Sequence, residues 1–179
     1  MRQSLATTMR HLSTCYNLPI MTATTATLTI RPYLPSDTEA VRKLHVKALK
    51  AVVPFEENNP WDKDLDRIDE IYGRNHGIFL IGWADGTLVA MGALRRVTAT
   101  ICELKRLRVD PDHQRQGYGR QMLTTLEHEA KRLGYTTIQL ETTAQLTAAQ
   151  KLYEQSDYTE VKRQTEGLPF ETIFYTKSN

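Results

Sequence analysis

The pattern of hydrophobic and polar positions predicts strands in the first two thirds of the chain. Short runs of alternating or continuous apolar residues are typical of strands. Asp85-Gly86, between two such runs, is a strong signal for a two-residue hairpin. The predicted strands begin near Leu28 and continue at 77–84, 88–97 and 101–109.

Other segments carry apolar residues at helical spacing. Ser36-Asp37-Thr38-Glu39 has the form of a capping box and precedes such a segment. From 118 to 133 one stripe is apolar, and Gly134 follows as a C-cap. A second helix is predicted at 64–72 and a last one at 144–155. The remaining predicted strands are 135–140, 158–164 and 170–176.

The order of these elements predicts the fold class. Hairpins early in the chain and a strand–helix–strand unit late in it indicate an α/β fold with a mixed, mostly antiparallel central sheet and helices on both faces. Residues 27–179 are expected to form a single domain. Residues 1–26 show no period and are expected to be a disordered extension; an organelle transit peptide or a true start at Met21 are the alternatives.

Composition and charge exclude several classes of protein. No apolar run approaches the ~20 residues of a membrane span. The net charge is +2, and three arginines in the acid-free first 36 residues more than account for it. The nearly neutral remainder disfavours a nucleic-acid binder. Cys15 and Cys102 are far apart and form no metal-ligand spacing. We therefore expect no metal, a reducing compartment and a cytoplasmic location.

The segment 109–120 combines the features of a phosphate-binding turn. Pro111 ends a strand, and a helix opens near Gly117. The free amides and dipole of a helix N-terminus attract phosphate, and Gly117 and Gly119 allow backbone amides to approach it. Met122 replaces the third glycine of a dinucleotide fingerprint, and the Gly-Lys-Ser/Thr of a P-loop is lacking. Taken alone, the glycines are better explained by packing at a strand–turn–helix corner.

In context, Gln114-x-x-Gly117-x-Gly119 matches the motif Gln/Arg-x-x-Gly-x-Gly/Ala of the GNAT superfamily of N-acetyltransferases, and the chain resembles that family. The preceding 103–111 resembles the strand that leads into the motif. The resemblance implies acetyl-CoA as co-substrate, with turn amides on its pyrophosphate and amides at the strand end on its pantetheine. The residues that it assigns to the coenzyme are Leu107, Val109, Gln114, Arg115, Gln116, Gly117, Tyr118, Gly119 and Arg120.

The similarity extends to about 27–177, more weakly. Leu28-x-Ile30-Arg31 followed by Asp37 resembles the first strand and helix of the family, and Ala149-x-x-Leu152-Tyr153-Glu154 resembles its fourth helix. Two positions depart from the family pattern. Leu146 stands where an asparagine often helps to fix the coenzyme, and Asp157 replaces a glycine. Asp tolerates unusual backbone angles better than most residues.

The resemblance implies direct attack of a primary amine on the thioester in a ternary complex. An amine with a lysine-like pKa of about 10.4 must first lose a proton, and the departing thiolate is helped by a proton donor. Tyr153 resembles the general acid of the family. The alternative is a tyrosine that packs beside Leu152 with its hydroxyl at the surface.

Glu103 resembles a general base found on the corresponding strand in several members. Strand alternation predicts Glu103 and Lys105 on the same face as Leu107 and Val109, and Cys102, Leu104, Arg106 and Arg108 on the other. The alternatives for Glu103 are an ion pair with Lys105 or Arg95, with deprotonation through ordered water. Cys102 is expected to be a buried structural cysteine rather than an acyl carrier.

Two other functions compete with acetyl transfer. One is a non-catalytic acyl-CoA sensor on the same fold, which an intact Tyr153 disfavours. The other is a nucleic-acid module, suggested only by basic residues that coenzyme phosphates explain better. The acceptor, a small molecule or a protein amine, is not identified by any motif, and a homodimer is left open. The acid-rich segment 51–72 predicts a cationic acceptor, with a merely solvated face as the alternative.

Overall fold

The computed structural model describes residues 28–52 and 60–179, except for the side chains of Pro60 and Trp61. The predicted extension 1–26 lies outside these residues. Seven strands of the described part form one sheet, in the order β1-β2-β3-β4-β5-β7-β6. The strands are β1 (Thr29–Pro32), β2 (Ile78–Ala84), β3 (Thr87–Arg96), β4 (Ile101–Val109), β5 (Thr137–Thr143), β6 (Thr159–Gln164) and β7 (Thr172–Ser178).

Helices cover both faces of this sheet, and the predicted α/β class is confirmed. The helices are α1 (Thr38–Lys50), α2 (Tyr118–Arg132) and α3 (Thr147–Glu154). Helix α2 buries Met122, Leu123 and Leu126 in one core, to which Tyr153 of α3 also belongs. We call the face of the sheet that this core covers the α2 face. Helix α1 packs Val41 and Leu44 into a second core on the opposite face, the α1 face.

Among the described strands, β4 and β5 form the one parallel pair. A parallel pair cannot be joined by a tight turn, and helix α2 makes the crossover. The pairing runs from Ile101 opposite Thr137 to Leu104 opposite Leu140 and ends there. Beyond this point β4 continues beside β3 to Val109, and β5 continues beside β7. The two strands therefore diverge and leave a cleft in the middle of the sheet.

Two predicted features around helix α1 and the segment that follows it are wrong. The capping box at Ser36 does not form, because the side chain that accepts a backbone amide is that of Asp37, from Leu34 N at 2.8 Å. The helix predicted at 64–72 is not continuous. The chain makes a 3₁₀ segment, Pro60–Asp66, and a single π-helical turn, Asp69–Gly73. Leu65, Ile68 and Tyr72 are nevertheless buried as their spacing predicted.

The turns follow their local sequence closely. Asp85 and Gly86 have φ of +49° and +75°, as a hairpin with two left-handed residues requires. Gly134 has φ of +87° just beyond the end of α2, and a left-handed glycine is the usual C-cap. Asp157, which replaces a family glycine, has φ of +64°. The aspartate therefore adopts a left-handed conformation of the kind that glycine adopts readily.

A β-bulge in β4 corrects the predicted alternation of side chains. The pairing with β3 shifts between Arg108 opposite Met91 and Lys105 opposite Ala93, and Arg106 has φ of +58°. An inserted residue reverses the alternation beyond it. Leu107 and Val109 consequently pack on the α2 face, together with Leu104 and Cys102, and not on the face of Glu103. Met91 and Ala93 belong to the core of the α1 face, which places Arg108 and Lys105 there.

Two carboxylates hold the bulge in place. The Arg106 guanidinium donates to Asp62 Oδ1 at 2.7 Å, and to both carboxylate oxygens of Asp64. The Tyr72 hydroxyl also donates to Asp64. The Arg106 side chain is 8% exposed. Since a left-handed arginine is strained by about 1–2 kcal/mol, these contacts are what stabilise the conformation.

We predict that Arg106→Gln lowers the free energy of unfolding by about 3–5 kcal/mol, because it leaves two mostly buried carboxylates without their cation. Chemical denaturation would measure the loss. Arg163→Gln is the matched control, since its exposed ion pair with Glu160 should contribute little. Equal stability of Arg106→Gln and the parent protein would show that the bulge does not depend on this ion pair.

Candidate functional site

The turn between β4 and α2 is left-handed at two positions. A 3₁₀ turn, Pro111–His113, follows the strand, and the Asp110 carboxylate accepts a hydrogen bond from Asp112 N at 2.9 Å. Arg115 has φ of +62° and Gly117 has φ of +82°. A left-handed conformation is ordinary for glycine and uncommon for arginine. Such sequences of right- and left-handed residues orient backbone amides toward an anion.

Helix α2 begins at the end of this turn without a side-chain cap. Its N-cap is Gly117, which has no side chain to accept from the free amides of the first turn. Gln114 to Gly117 are exposed, whereas Tyr118 is buried. The N-terminus of a helix favours negative charge within its first turn. The turn and the helix together form a solvent-facing element whose geometry suits an anion, and we call it the anion-binding element.

Gly119 lies where α3 and β4 approach α2. A Cβ atom at Gly119 would lie 3.4 Å from Leu152 Cδ2 and 3.6 Å from Val109 Cγ2. Arg120 Nη2 donates to Gln155 Oε1 at 3.0 Å, which joins the same two helices at their edge. The predicted coenzyme residues thus form a continuous row along the border of the cleft. The row runs from the end of β4 through the turn into the first turn of α2.

An open cavity of about 640 Å³ lies beside the start of α2. It shares Gly117 and Arg120 with the anion-binding element, and Ile30 of β1 and the preceding Leu28 contribute apolar side chains on its other side. The lining residues are Leu28, Ile30, Gly117, Arg120, Gln121, Thr124 and Thr125. The element is therefore reachable from solvent on the α2 face.

Tyr153 is buried in a group of aromatic rings. Its side chain extends from the last turn of α3, and the residue is 5% exposed. The ring centroids of Tyr158 and Tyr175 lie 5.7 Å and 6.0 Å from that of Tyr153. Burial raises the pKa of Tyr153 to about 12, against the opposing charge of Arg108. The phenol therefore holds its proton at neutral pH, as a proton donor must.

Arg108 is a residue whose position the sequence alone did not reveal. Its Nε is buried and has no hydrogen-bond partner, and Nη1 donates to Leu107 O at 2.9 Å. Burial lowers the pKa of this guanidinium, with Arg106 adding to the effect, and the charge acts on Tyr153 across the divergent strands. The bulge places Arg108 on the face of Glu103 and Lys105, and no local sequence pattern shows the bulge.

Glu103 forms ion pairs on the α1 face. It is 8% exposed. Its Oε2 accepts from Arg95 Nη2 at 2.5 Å, and Lys105 Nζ lies 3.4 Å from Oε1. Lys105 also donates to Glu141 Oε1 at 3.1 Å. The structure thus shows the ion pairs that were the alternative for Glu103, and Glu103 and Tyr153 lie in different layers of the molecule.

Internal cations compensate most of the described acids in the segment 60–73. Asp62 and Asp64 pair with Arg106, and Asp62 Oδ1 also lies 3.1 Å from His45 Nε2, a buried histidine. Burial acts to raise the pKa of Asp62, but His45 and Arg106 outweigh it and lower that pKa to about 2. The other two pairs are Asp66 with Arg42 and Glu70 with Arg67. Glu56 and Glu57 lie outside the described residues.

Among the described residues, neither Cys102 nor a metal-ligand cluster provides a further catalytic site. Cys102 is fully buried, and burial raises the pKa of its thiol to about 12, so a nucleophilic thiolate is not formed at neutral pH. It points to the opposite face from Glu103, as predicted. Within 28–52 and 60–179, no cluster of three or more His, Cys, Asp or Glu could hold a metal ion. No helix in that part of the chain is long and apolar enough to cross a membrane.

Comparisons with known proteins agree with this architecture. The profile of the acetyltransferase (GNAT) family matches residues 39–158. The ribosomal protein bS18 alanine N-acetyltransferase of Haemophilus ducreyi is 29% identical over 118 residues, which are 56% of this chain and 79% of that protein. Two further curated relatives are matched over 52% and 49% of their own lengths.

Solved structures show the same fold. A GNAT-family acetyltransferase from Staphylococcus aureus Mu50 superposes with a TM-score of 0.76 at 21% identity, covering 85% of this chain and 99% of that one. The PaiA N-acetyltransferase from Thermoplasma acidophilum, solved in complex with coenzyme A, gives 0.69 at 19% identity, covering 86% and 99%. The chain belongs to the acetyltransferase (GNAT) family, and its enzyme class is that of the N-acetyltransferases.

Proposed function

We propose that the protein transfers an acetyl group from acetyl-CoA to a primary amine, by direct attack in a ternary complex. The observation that carries the proposal is the exposed turn at Arg115 and Gly117, which leads from the divergent end of β4 into the uncapped start of α2. This element offers backbone amides to a pyrophosphate. The cleft beside it offers an open strand edge, because β4 lacks its β5 neighbour beyond Leu104.

The coenzyme is proposed to lie along this border. The amides of Gln114 to Arg120 receive its pyrophosphate, and the backbone of Leu107 and Val109 pairs with its pantetheine as another strand would. The bulge supports this placement, since it turns both side chains toward the α2 core and leaves their peptide groups at the cleft. The coenzyme A bound by the Thermoplasma relative of the same fold is consistent with it.

Tyr153 is proposed to protonate the departing thiolate. Its pKa of about 12 keeps the phenol protonated at neutral pH, and Arg108 opposes the further rise that burial would cause. When the proton leaves, the same guanidinium stabilises the phenolate. A cation whose charge acts on the acid makes such a transfer less costly.

Glu103 is proposed to take the proton of the attacking amine. The geometry requires its Oε2 to exchange Arg95 for the amine, or for a water that carries the proton. The half-exposed Arg95 can move toward solvent, whereas Glu103 cannot, being 10% exposed at its side chain. If the ion pair stays closed, deprotonation passes through ordered water alone.

The acceptor is proposed to be a primary amine of a small molecule or of a protein. The relative named for the alanine of ribosomal protein bS18 supports the second class. A cationic acceptor has less support, since Asp69 is the one described acid of the segment 60–73 without an ion pair to a described residue. The cytoplasmic location, the homodimer and the assignment of 27–179 to one domain stay predictions, the last supported by the continuous sheet.

The second candidate is a coenzyme A sensor without catalysis. The observation that favours it is the closed ion pair of Glu103 with Arg95. Incubation of the purified protein with acetyl-CoA and a panel of amines separates the two. Amine-dependent release of free thiol indicates transfer, whereas binding without thiol release indicates a sensor.

Gly117→Val is expected to abolish acetyl-CoA binding in calorimetry, because a β-branched side chain at φ of +82° disturbs the amides of the turn. Gly134→Val is the matched control. It places the same strain at φ of +87° at the other end of α2, where nothing lies within 4 Å, and it should keep binding. The variants Gly117→Ala and Gly134→Ala repeat the comparison with less backbone strain. Undiminished binding by Gly117→Val would show that the coenzyme lies elsewhere.

Tyr153→Phe is expected to lower turnover by about 10²–10⁴-fold, the usual contribution of a positioned acid, while acetyl-CoA binding persists. Steady-state kinetics and calorimetry measure the two effects. Tyr158→Phe removes a buried hydroxyl from the neighbouring ring and should leave turnover nearly unchanged. Full activity of Tyr153→Phe would mean that the thiolate departs without this acid.

Glu103→Gln is expected to slow the reaction most at neutral pH and to recover partly toward pH 10, where the amine loses its proton unaided. The pH–rate profile is the measurement. Arg95→Gln breaks the same ion pair but keeps the carboxylate, so it should retain the profile of the parent enzyme. An unchanged profile in Glu103→Gln would assign deprotonation to water or to another residue.

A further inference from the structure

Lys47 connects helix α1 to the chain just before the anion-binding turn. Its Nζ lies 2.7 Å from Asp110 Oδ1 and donates to Asp110 Oδ2 and Asp112 Oδ2, both at 2.8 Å. Hydrogen bonds to Asp110 and then to Asp112 raise the pKa of the ammonium group, so it stays charged at neutral pH. One cation from the last turn of α1 therefore serves two carboxylates that follow β4.

The Asp110 carboxylate cannot leave this position without damage to the turn. Asp110 is 6% exposed. Its side chain accepts from Asp112 N, and its own amide donates to Val89 O at 2.8 Å. His113 Nδ1, at 3.7 Å from Asp110 Oδ2, is the other titratable group that faces them. The Asp110 carboxylate stabilises the turn that precedes Gln114, and the same carboxylate places a negative charge there.

Such charges conflict with the ligand proposed for the turn. A pyrophosphate bound to the amides of 114–120 would lie only a few residues from two negative side chains. Like charges repel through a medium of effective dielectric constant about 20 at a protein surface. A single ammonium group between the carboxylates removes half of their charge. Lys43, one helical turn earlier, instead pairs with Glu39 on the same helix and takes no part.

We propose that Lys47 is a positioning residue for the coenzyme, which offsets half of the negative charge of Asp110 and Asp112 and so makes the turn compatible with a phosphate ligand. This inference rests on the proposed binding of acetyl-CoA at that turn. Removal of the cation would therefore act on the coenzyme through charge, without any contact to it.

The first test is the dissociation constant of acetyl-CoA for Lys47→Met, measured by calorimetry beside Lys43→Met. Lys47→Met should bind about 3- to 10-fold more weakly, because one further negative charge beside the turn is left uncompensated, and its KM for acetyl-CoA should rise while kcat changes little. Lys43→Met should match the parent protein. Because salt screens exposed charges, the ratio between Lys47→Met and the parent should shrink as the ionic strength rises.

The second test separates charge from structural support. Asp112 is an exposed side chain whose carboxylate contacts Lys47 alone among the described residues. Asp112→Asn in the Lys47→Met background should restore most of the affinity, because it removes the surplus charge but cannot rebuild the contact to α1. Affinity that stays low in the double variant, or an unchanged affinity of Lys47→Met, would overturn the proposal. If the parent protein itself does not bind acetyl-CoA, the proposed function fails and this inference fails with it.

Discussion

The ion pair of Arg106 with Asp62 and Asp64 is the interaction on which the rest of the structure depends. A left-handed arginine in the middle of a strand persists only where its surroundings hold it, and here two carboxylates from the segment 60–66 do so. Because the bulge reverses the alternation of β4, it decides which side chains face each core. Desolvation of these buried charges costs free energy. In return, the ion pair specifies the bulged conformation of β4.

The bulge also divides the candidate chemistry between two layers. Leu107 and Val109 turn toward the core that contains Tyr153, whereas Glu103 and Arg108 face the layer of α1. The cleft between β4 and β5 is an opening in the sheet between these two layers. The proposed reaction would use this opening, with the thioester on the side of Tyr153 and the amine on the side of Glu103.

The sequence predicted features that depend on neighbouring residues and missed those that depend on distant ones. The hairpin at Asp85-Gly86, the C-cap at Gly134 and the start of α2 follow from local backbone preferences, and all were predicted. The bulge at Arg106 was not, since it is stabilised by acids more than forty positions away. For the same reason the acid-rich segment was interpreted as a field for cations, although most of its described charge is neutralised internally. The left-handed conformation of Asp157 was not predicted, although the glycine that many family members have at this position is consistent with it.

The parallel pairing of β4 with β5 has a consequence for how the molecule forms. Antiparallel neighbours such as β2 and β3 can meet as soon as their hairpin closes, but β4 and β5 meet only after α2 has crossed the sheet. Contacts between distant segments carry a loop-closure cost that delays them during folding. The cleft exists only where this pairing both forms and stops. A nascent chain that has completed the β2–β3 hairpin therefore still lacks the cleft, which appears only once β5 has paired with β4.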